Sequence, residues 1–174
     1  MKPIFVLFFL VFSNMIISQE KNCFDIARKG TLNEISSEYE KNKKIIDSVD
    51  SNSSSMLILA CYKNNNEVAK FIVKKKANLD YTSTNGTALM ACVIKGNIEM
   101  AEILLLNKAN PDLTDINGIT ALMYAVQFQN EKMIQLLLDH KANKSIIDKQ
   151  GKPAFEDAVS TNNELIINLF KYKL

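Results

Sequence analysis

Histidine, cysteine and paired carboxylates are the residues through which this sequence could do chemistry. The single histidine, His140, stands between Asp139 and Lys141 at the predicted end of a helix. Zinc needs three or four donors together, whereas a cation at a helix C-terminus complements the helix dipole, so we interpret His140 as an exposed cap. Glu156 and Asp157 are adjacent and point to different sides of a helix. Without a Cys-x-x-Cys pair or a glycine-rich phosphate loop, we expect no catalytic, metal-binding or cofactor-binding residue.

The three cysteines do not form a disulfide framework. Cys23, Cys61 and Cys92 are an odd number without a close pair. Cys61 and Cys92 occupy positions that hold small apolar residues in neighbouring parts of the chain, so we interpret them as packing residues. We expect them to lie too far apart for the Cα separation of about 5.5 Å that a disulfide prefers.

The first 18 residues differ in composition from the rest of the chain. Lys2 is followed by the apolar run Ile4 to Phe12, and Ser18 precedes a polar segment that begins at Gln19. This order is typical of a secretory signal peptide, and the run is shorter than the ~20 residues of a membrane-spanning helix. We predict a signal peptide at residues 1–18, a mature domain at residues 19–174 and a secreted or periplasmic location. A retained anchor is the alternative.

The composition of the whole chain is that of an ordinary soluble protein. The chain has 174 residues, of which 47% are hydrophobic and 23% charged, and its net charge is +2. Removing Lys2 with the signal would lower the charge to +1. A near-neutral chain without a basic block offers little to nucleic acid or to an acidic membrane, so we expect neither as a partner, and no stable membrane insertion.

A repeat of 33 residues organises the chain. The sequence Thr-Ala-Leu-Met occurs at Thr87 and again at Thr120, and Lys-Ala-Asn occurs at Lys108 and again at Lys141. A period in this range indicates stacked helical units that bury their apolar sides only against one another. The pattern predicts an all-α solenoid of helix-turn-helix units. Their approximate bounds are residues 22–50, 51–83, 84–115, 116–148 and 149–174.

The segments between these units contain turn residues. The stretches 80–86, 112–118 and 145–151 each end in a glycine, which suits a turn with positive φ. We expect them to project as β-turn fingers, with the one before Thr87 shortened by one residue. Residues 41–55 have no glycine and are predicted to form an irregular, mobile loop. Pro153 is expected at the first turn of a helix.

The order of helix, turn, helix and finger at this period resembles the ankyrin repeat. In the fourth unit the agreeing residues are Gly118, Thr120, Leu122, Ala125, Leu136, Leu137, Leu138 and Ala142. In the third unit they are Thr87, Leu89, Gly96, Glu99, Leu104, Leu105, Ala109 and Asp112, and in the second Leu57, Ala60, Glu67, Val68 and Ala77. The resemblance covers about residues 22 to 173 and weakens at both ends.

Three positions depart from the family pattern. Its proline is replaced by alanine, and its histidine by Ile58, Met90, Met123 and Glu156, so the hydrogen bonds of that histidine are expected to be lost. Lysines 76, 108 and 141 replace the glycine that follows the second helix in the family. A left-handed backbone is expected at this position, and a residue other than glycine costs about 1 kcal/mol there.

The resemblance implies a groove that binds a protein partner, lined by finger tips and the ends of the first helices. Several residues at these positions are apolar where solvated ones would suffice. The positions are Tyr62, Lys63, Ile94, Lys95, Ile116, Asn117, Ile119, Gln127 and Phe128. The competing interpretation is that Ile119 and Phe128 fold back onto neighbouring units.

We therefore expect an exported, monomeric, non-catalytic module for protein-protein interaction. The alternative is a protective or immunity-type partner of an exported enzyme or toxin. Stabilisation or inhibition of such an enzyme would distinguish the two.

Overall fold

Pairs of short antiparallel helices, stacked side by side, build the molecule. The computed structural model describes residues 22–171, so the predicted signal peptide lies outside the described residues. The α-helices are α1 Cys23–Lys29, α2 Leu32–Lys41, α3 Met56–Tyr62, α4 Asn66–Lys74, α5 Ala88–Ile94, α6 Ile98–Leu106, α7 Ala121–Gln127, α8 Glu131–Asp139, α9 Ala154–Ser160 and α10 Glu164–Lys171. A 3₁₀ helix spans Lys43–Asp47. Within the described range there are ten α-helices in five pairs and no extended sheet, as the 33-residue period predicts.

The odd-numbered helices are the inner ones, and side chains cap three of them in succession: α3, α5 and α7. The hydroxyl groups of Ser55, Thr87 and Thr120 each accept a hydrogen bond from the amide three residues on. Such a bond satisfies one of the amides that a helix start leaves without a partner. Pro153 is the N-cap residue of α9 and not its first helical residue, which corrects our expectation, and it provides no side-chain cap.

The core is a continuous apolar layer between neighbouring units. Leu89 and Leu122, which agree with the family pattern, are buried, as are Ile72, Leu104 and Leu137 on the outer helices α4, α6 and α8. Inner helices pack on inner helices, and outer on outer. Each unit therefore covers the apolar face of the unit before it.

A left-handed lysine lies two residues after each of the outer helices α4, α6 and α8. Lys76, Lys108 and Lys141 have φ angles of 65°, 71° and 63°, which confirms the left-handed conformation expected at these positions. The backbone amide two residues after each lysine donates a hydrogen bond to a carboxylate of the preceding unit. The donors are Asn78, Asn110 and Asn143, the acceptors are Asp47, Asp80 and Asp112, and the distances are 2.7–2.8 Å. These bonds join neighbouring units on the finger side of the stack.

Antiparallel bridges close four fingers. They pair Val49 with Ser55, Ser83 with Gly86, Thr114 with Thr120 and Ile147 with Pro153. The second bridge closes over fewer residues, which confirms the shorter finger before Thr87. An aspartate organises each of the three longer fingers, since Oδ1 of Asp50, Asp115 and Asp148 accepts the amides two and four residues on.

The prediction of an irregular loop at residues 41–55 was wrong. Ile45 and Ile46 are buried on one side of the 3₁₀ helix, which ties the segment to the core. The rest forms a finger in which Ser53, at φ 58°, takes the left-handed position that glycine holds in the other fingers. A serine at this position hides the turn from a search for glycine.

Candidate protein-binding groove

A groove runs along the C-terminal ends of the inner helices, under the finger tips. It contains a cavity of about 830 Å³ that spans the first four units. We call this surface the inner groove. Its lining residues are Arg28, Asp50, Asn52, Ser54, Ile58, Leu59, Tyr62, Lys63, Thr84, Asn85, Ile94, Asp115, Ile116, Asn117 and Tyr124.

Five of the nine residues proposed for partner binding line this cavity: Tyr62, Lys63, Ile94, Ile116 and Asn117. They come from the ends of α3 and α5 and from the finger before α7. The other four proposed residues do not line it. Lys95 lies beside it, with its ammonium group 5.1 Å from the centre of the Tyr62 ring. The remaining three, Ile119, Gln127 and Phe128, belong to the fourth unit.

Ile119 and Phe128 differ in their packing. Ile119 is half-buried and packs against the core, as the competing interpretation expected. Phe128 is 55% exposed and stacks on Tyr124 with ring centres 6.5 Å apart. Tyr62 and Ile116 are also open to solvent, at 46% and 57%. Two large apolar side chains therefore remain exposed in the inner groove, and Phe128 is exposed next to it, on the ring of the lining residue Tyr124.

A buried aspartate supports the finger that carries Ile116. The Asp115 carboxylate accepts the amides of Asn117 and Ile119, and it accepts the Tyr124 hydroxyl at 2.7 Å. Burial, followed by this bond to Asp115, raises the pKa of Tyr124 to about 12. The hydroxyl group stays protonated at neutral pH and fixes the finger to α7.

A second carboxylate joins the first unit to the finger that precedes α3. The Arg28 guanidinium donates to Asp50 at 2.7 Å, and the Asp50 side chain is only 7% exposed. Arg28, Asp50, Asp115 and Tyr124 were missed by sequence reasoning, which considered only helix ends and finger tips. The recurrence of aspartate three residues before the left-handed finger residue is the signal that could have found two of them.

Residues 23–115 and 104–173 match the family model for ankyrin repeats, which describes three copies. These matches cover most of the chain. The chain belongs to the ankyrin-repeat family. It matches no curated protein. Ankyrin repeats indicate a module for protein-protein interaction with a protein partner, and domains of this family are generally non-catalytic.

One departure from the ankyrin pattern is partly compensated. Met123 stands where the family has histidine, and its Sδ accepts a hydrogen bond from the Thr120 amide at 3.4 Å. The Thr120 hydroxyl group accepts from the Met123 amide in return. A weak sulfur acceptor therefore compensates in part, in the fourth unit, for the hydrogen bonds expected to be lost with the histidine.

Neither His140 nor any of the three cysteines lines the inner groove of this ankyrin-repeat chain. His140 is the C-cap residue of α8 and is half-buried, less exposed than expected. No group of three His, Cys, Asp or Glu side chains within residues 22–171 is placed to hold a metal ion. In the same range, no helix is both long and apolar enough to cross a membrane.

Cys61 and Cys92 are buried packing residues, as predicted, on adjacent inner helices. A hydrogen bond with Cys61, together with burial, raises the pKa of Cys92 well above its ordinary value. Both remain free thiols. Cys23 is half-buried, and burial raises the pKa of its thiol as well.

Proposed function

We propose that this chain is an exported, monomeric ankyrin-repeat module of five repeats that binds a protein partner through the inner groove and catalyses no reaction. The observation that carries the proposal is the exposure of Tyr62 and Ile116 in one concave surface, with Phe128 exposed next to it on the Tyr124 ring. Large apolar side chains in a concave surface, with polar groups around them, are typical of a binding hot spot.

The bound segment would contact two rows of residues. One row is the ends of the inner helices, with Tyr62, Ile94 and Phe128, and the other is the finger tips, with Asn85 and Asn117. The hydrogen bond from the Ile116 amide to the Thr84 carbonyl joins neighbouring fingers, and that from the Lys149 amide to the Asn117 carbonyl joins the next pair. Because the fingers hold one another, the groove is preorganised and little conformational entropy is lost on binding.

A double substitution tests the groove. Phe128→Ala with Ile116→Asp removes the ring and places a charge at the finger tip, so we expect weaker capture of the native partner from the envelope of the exporting cell. The matched control is Leu165→Ala with Leu106→Asp, which changes two exposed leucines on outer helices. Equal loss of capture in both variants, or none in the first at unchanged helical content, would reject the groove.

Export is proposed from the sequence of residues 1–18. A fusion of these residues to a reporter enzyme that is active only outside the cytoplasm should give activity, and a fusion without them should not. Reporter activity that is independent of residues 1–18 would contradict this part of the proposal. Analytical ultracentrifugation of the mature chain measures its mass in solution and tests whether it is a monomer.

A further inference from the structure

Two lysines occupy equivalent positions in adjacent units, one lining the inner groove and the other beside it. Lys63 and Lys95 are the C-cap residues of α3 and α5, and both are exposed. Their ammonium groups lie 5.6 Å and 5.1 Å from the centre of the Tyr62 ring. An aromatic ring attracts a cation but does not neutralise it, so both lysines keep a full positive charge.

Neither ammonium group is neutralised within the described part of the chain. The ion pairs that the structure records there involve Arg28, Lys41 and Lys70, and no carboxylate lies within 4 Å of Lys63 or Lys95. Two cations beside one ring give this part of the groove a positive potential, which attracts an anionic group.

The carboxylates of the groove are already engaged. Asp50 is bound by Arg28 and by the amides of Asn52 and Ser54. Asp115 is bound by Tyr124 and by two amides of its own finger, and it is 8% exposed. The anions of the groove therefore face inward, while its lysines face outward, and the charge that a partner meets is positive.

This charge changes along the stack. The position of Lys63 and Lys95 is occupied by Phe128 in the fourth unit and by Thr161 in the fifth. A partner would therefore meet cations at the second and third units and an aromatic stack at the fourth. On the finger side it would meet the uncharged amides of Asn85 and Asn117.

We propose that the inner groove binds an acidic segment of a protein, with carboxylates between Lys63 and Lys95 and an apolar side chain on the Phe128 ring. This inference rests on the proposed function and specifies the chemistry of the partner. The Tyr62 ring contacts both lysines and keeps them at this part of the groove. Charge complementarity of this kind raises the association rate and selects against basic segments.

Selection from a random library of displayed 12-residue peptides, with the purified chain as bait, tests the inference. Groove-dependent peptides are those that no longer bind the variant with both Phe128→Ala and Ile116→Asp. We expect these peptides to be enriched in Asp and Glu, and to bind Lys63→Gln with Lys95→Gln about tenfold more weakly. The control is Lys74→Gln with Lys132→Gln, which removes two exposed charges from outer helices and should leave binding unchanged.

The outcomes separate this inference from the proposed function. Groove-dependent peptides without acidic enrichment, or equal binding by the Lys63 and Lys95 variant, would overturn the acidic segment and leave the groove standing. Displacement of the peptides by a single-stranded oligonucleotide at similar concentration would also overturn it. If no selected peptide depends on Phe128 and Ile116, the groove itself fails, and both proposals fall together.

Discussion

Two units of the stack carry the same pattern in different surroundings. The fourth unit, which we call the central unit, comprises α7, α8 and their finger, and the terminal unit comprises α9, α10 and theirs. Leu122 and Val126 of α7 are fully buried, whereas the equivalent Phe155 and Val159 of α9 are 38% and 47% exposed. The terminal unit has no following unit to cover this face within residues 22–171. The burial of a residue in this fold is therefore set by the next unit and not by its own sequence.

The same valine in both units offers the most direct test. Val126→Ala removes two buried methyl groups and should lower the free energy of unfolding by about 2.5 kcal/mol, from the transfer and cavity terms together. Val159→Ala removes the same atoms from a half-exposed site and should cost less than ~1 kcal/mol. Urea unfolding followed by circular dichroism measures both. Equal losses would show that the following unit does not determine the cost.

The finger glycines of the central and terminal units give a second matched pair. Gly118 and Gly151 have φ angles of +78° and +80°, but a Cβ at Gly118 would lie 3.0 Å from the Lys149 amide nitrogen, while one at Gly151 meets nothing within 4 Å. Both alanines have the strain of a left-handed residue, about 1 kcal/mol. Gly118→Ala should cost about twice as much as Gly151→Ala, because the neighbouring finger must also shift. Thermal unfolding of the two variants checks the difference, and equal midpoints would contradict it.

The helix caps form a third pair. Thr120 caps α7 through its hydroxyl group, and Pro153 gives α9 no such cap. Thr120→Ala should cost about 1 kcal/mol, and Pro153→Thr should gain about 0.5 kcal/mol by supplying a cap. Chemical unfolding measures both. A loss of stability with Pro153→Thr would mean that the rigidity of proline matters more there than the cap.

These pairs also show what the sequence could predict. The 33-residue period predicts the stacked helices, and the lysines after the outer helices were correctly expected to be left-handed. The first finger was missed because Ser53 replaces glycine at a position identified by glycine. The Arg28 to Asp50 bond was missed because it joins residues 22 apart, which no local pattern connects. Local rules predict the repeating parts, and contacts between units require the structure.

The groove residues divide in the same way. Tyr62 and Ile116 could be placed at the groove because each sits at a fixed position of the repeat. The packing of Ile119 against the core depends on how its finger turns, and that turn is set by the amide bonds to Asp115. The approach of Lys95 to the Tyr62 ring depends on the spacing of two units. Neither could be predicted from the repeat alone.

The smallest expected effect concerns the bond between Tyr124 and Asp115. The terminal unit has Asp157 at the position of Tyr124, and so has no hydroxyl group to donate to Asp148. Because the pKa of Tyr124 is raised from 10 to about 12, its contribution to stability is complete below pH 10 and is lost as the pH rises to 12. The stability of the native chain should therefore fall across this window relative to Tyr124→Phe, while lysine titrations cancel in the difference.

A pH titration of the phenolate absorbance measures the pKa of Tyr124 directly. The part of this absorbance that is lost in Tyr124→Phe should have its midpoint near pH 12. A midpoint near pH 10 would mean that the hydroxyl group is solvated and does not hold the finger on α7, which would remove this distinction between the two units.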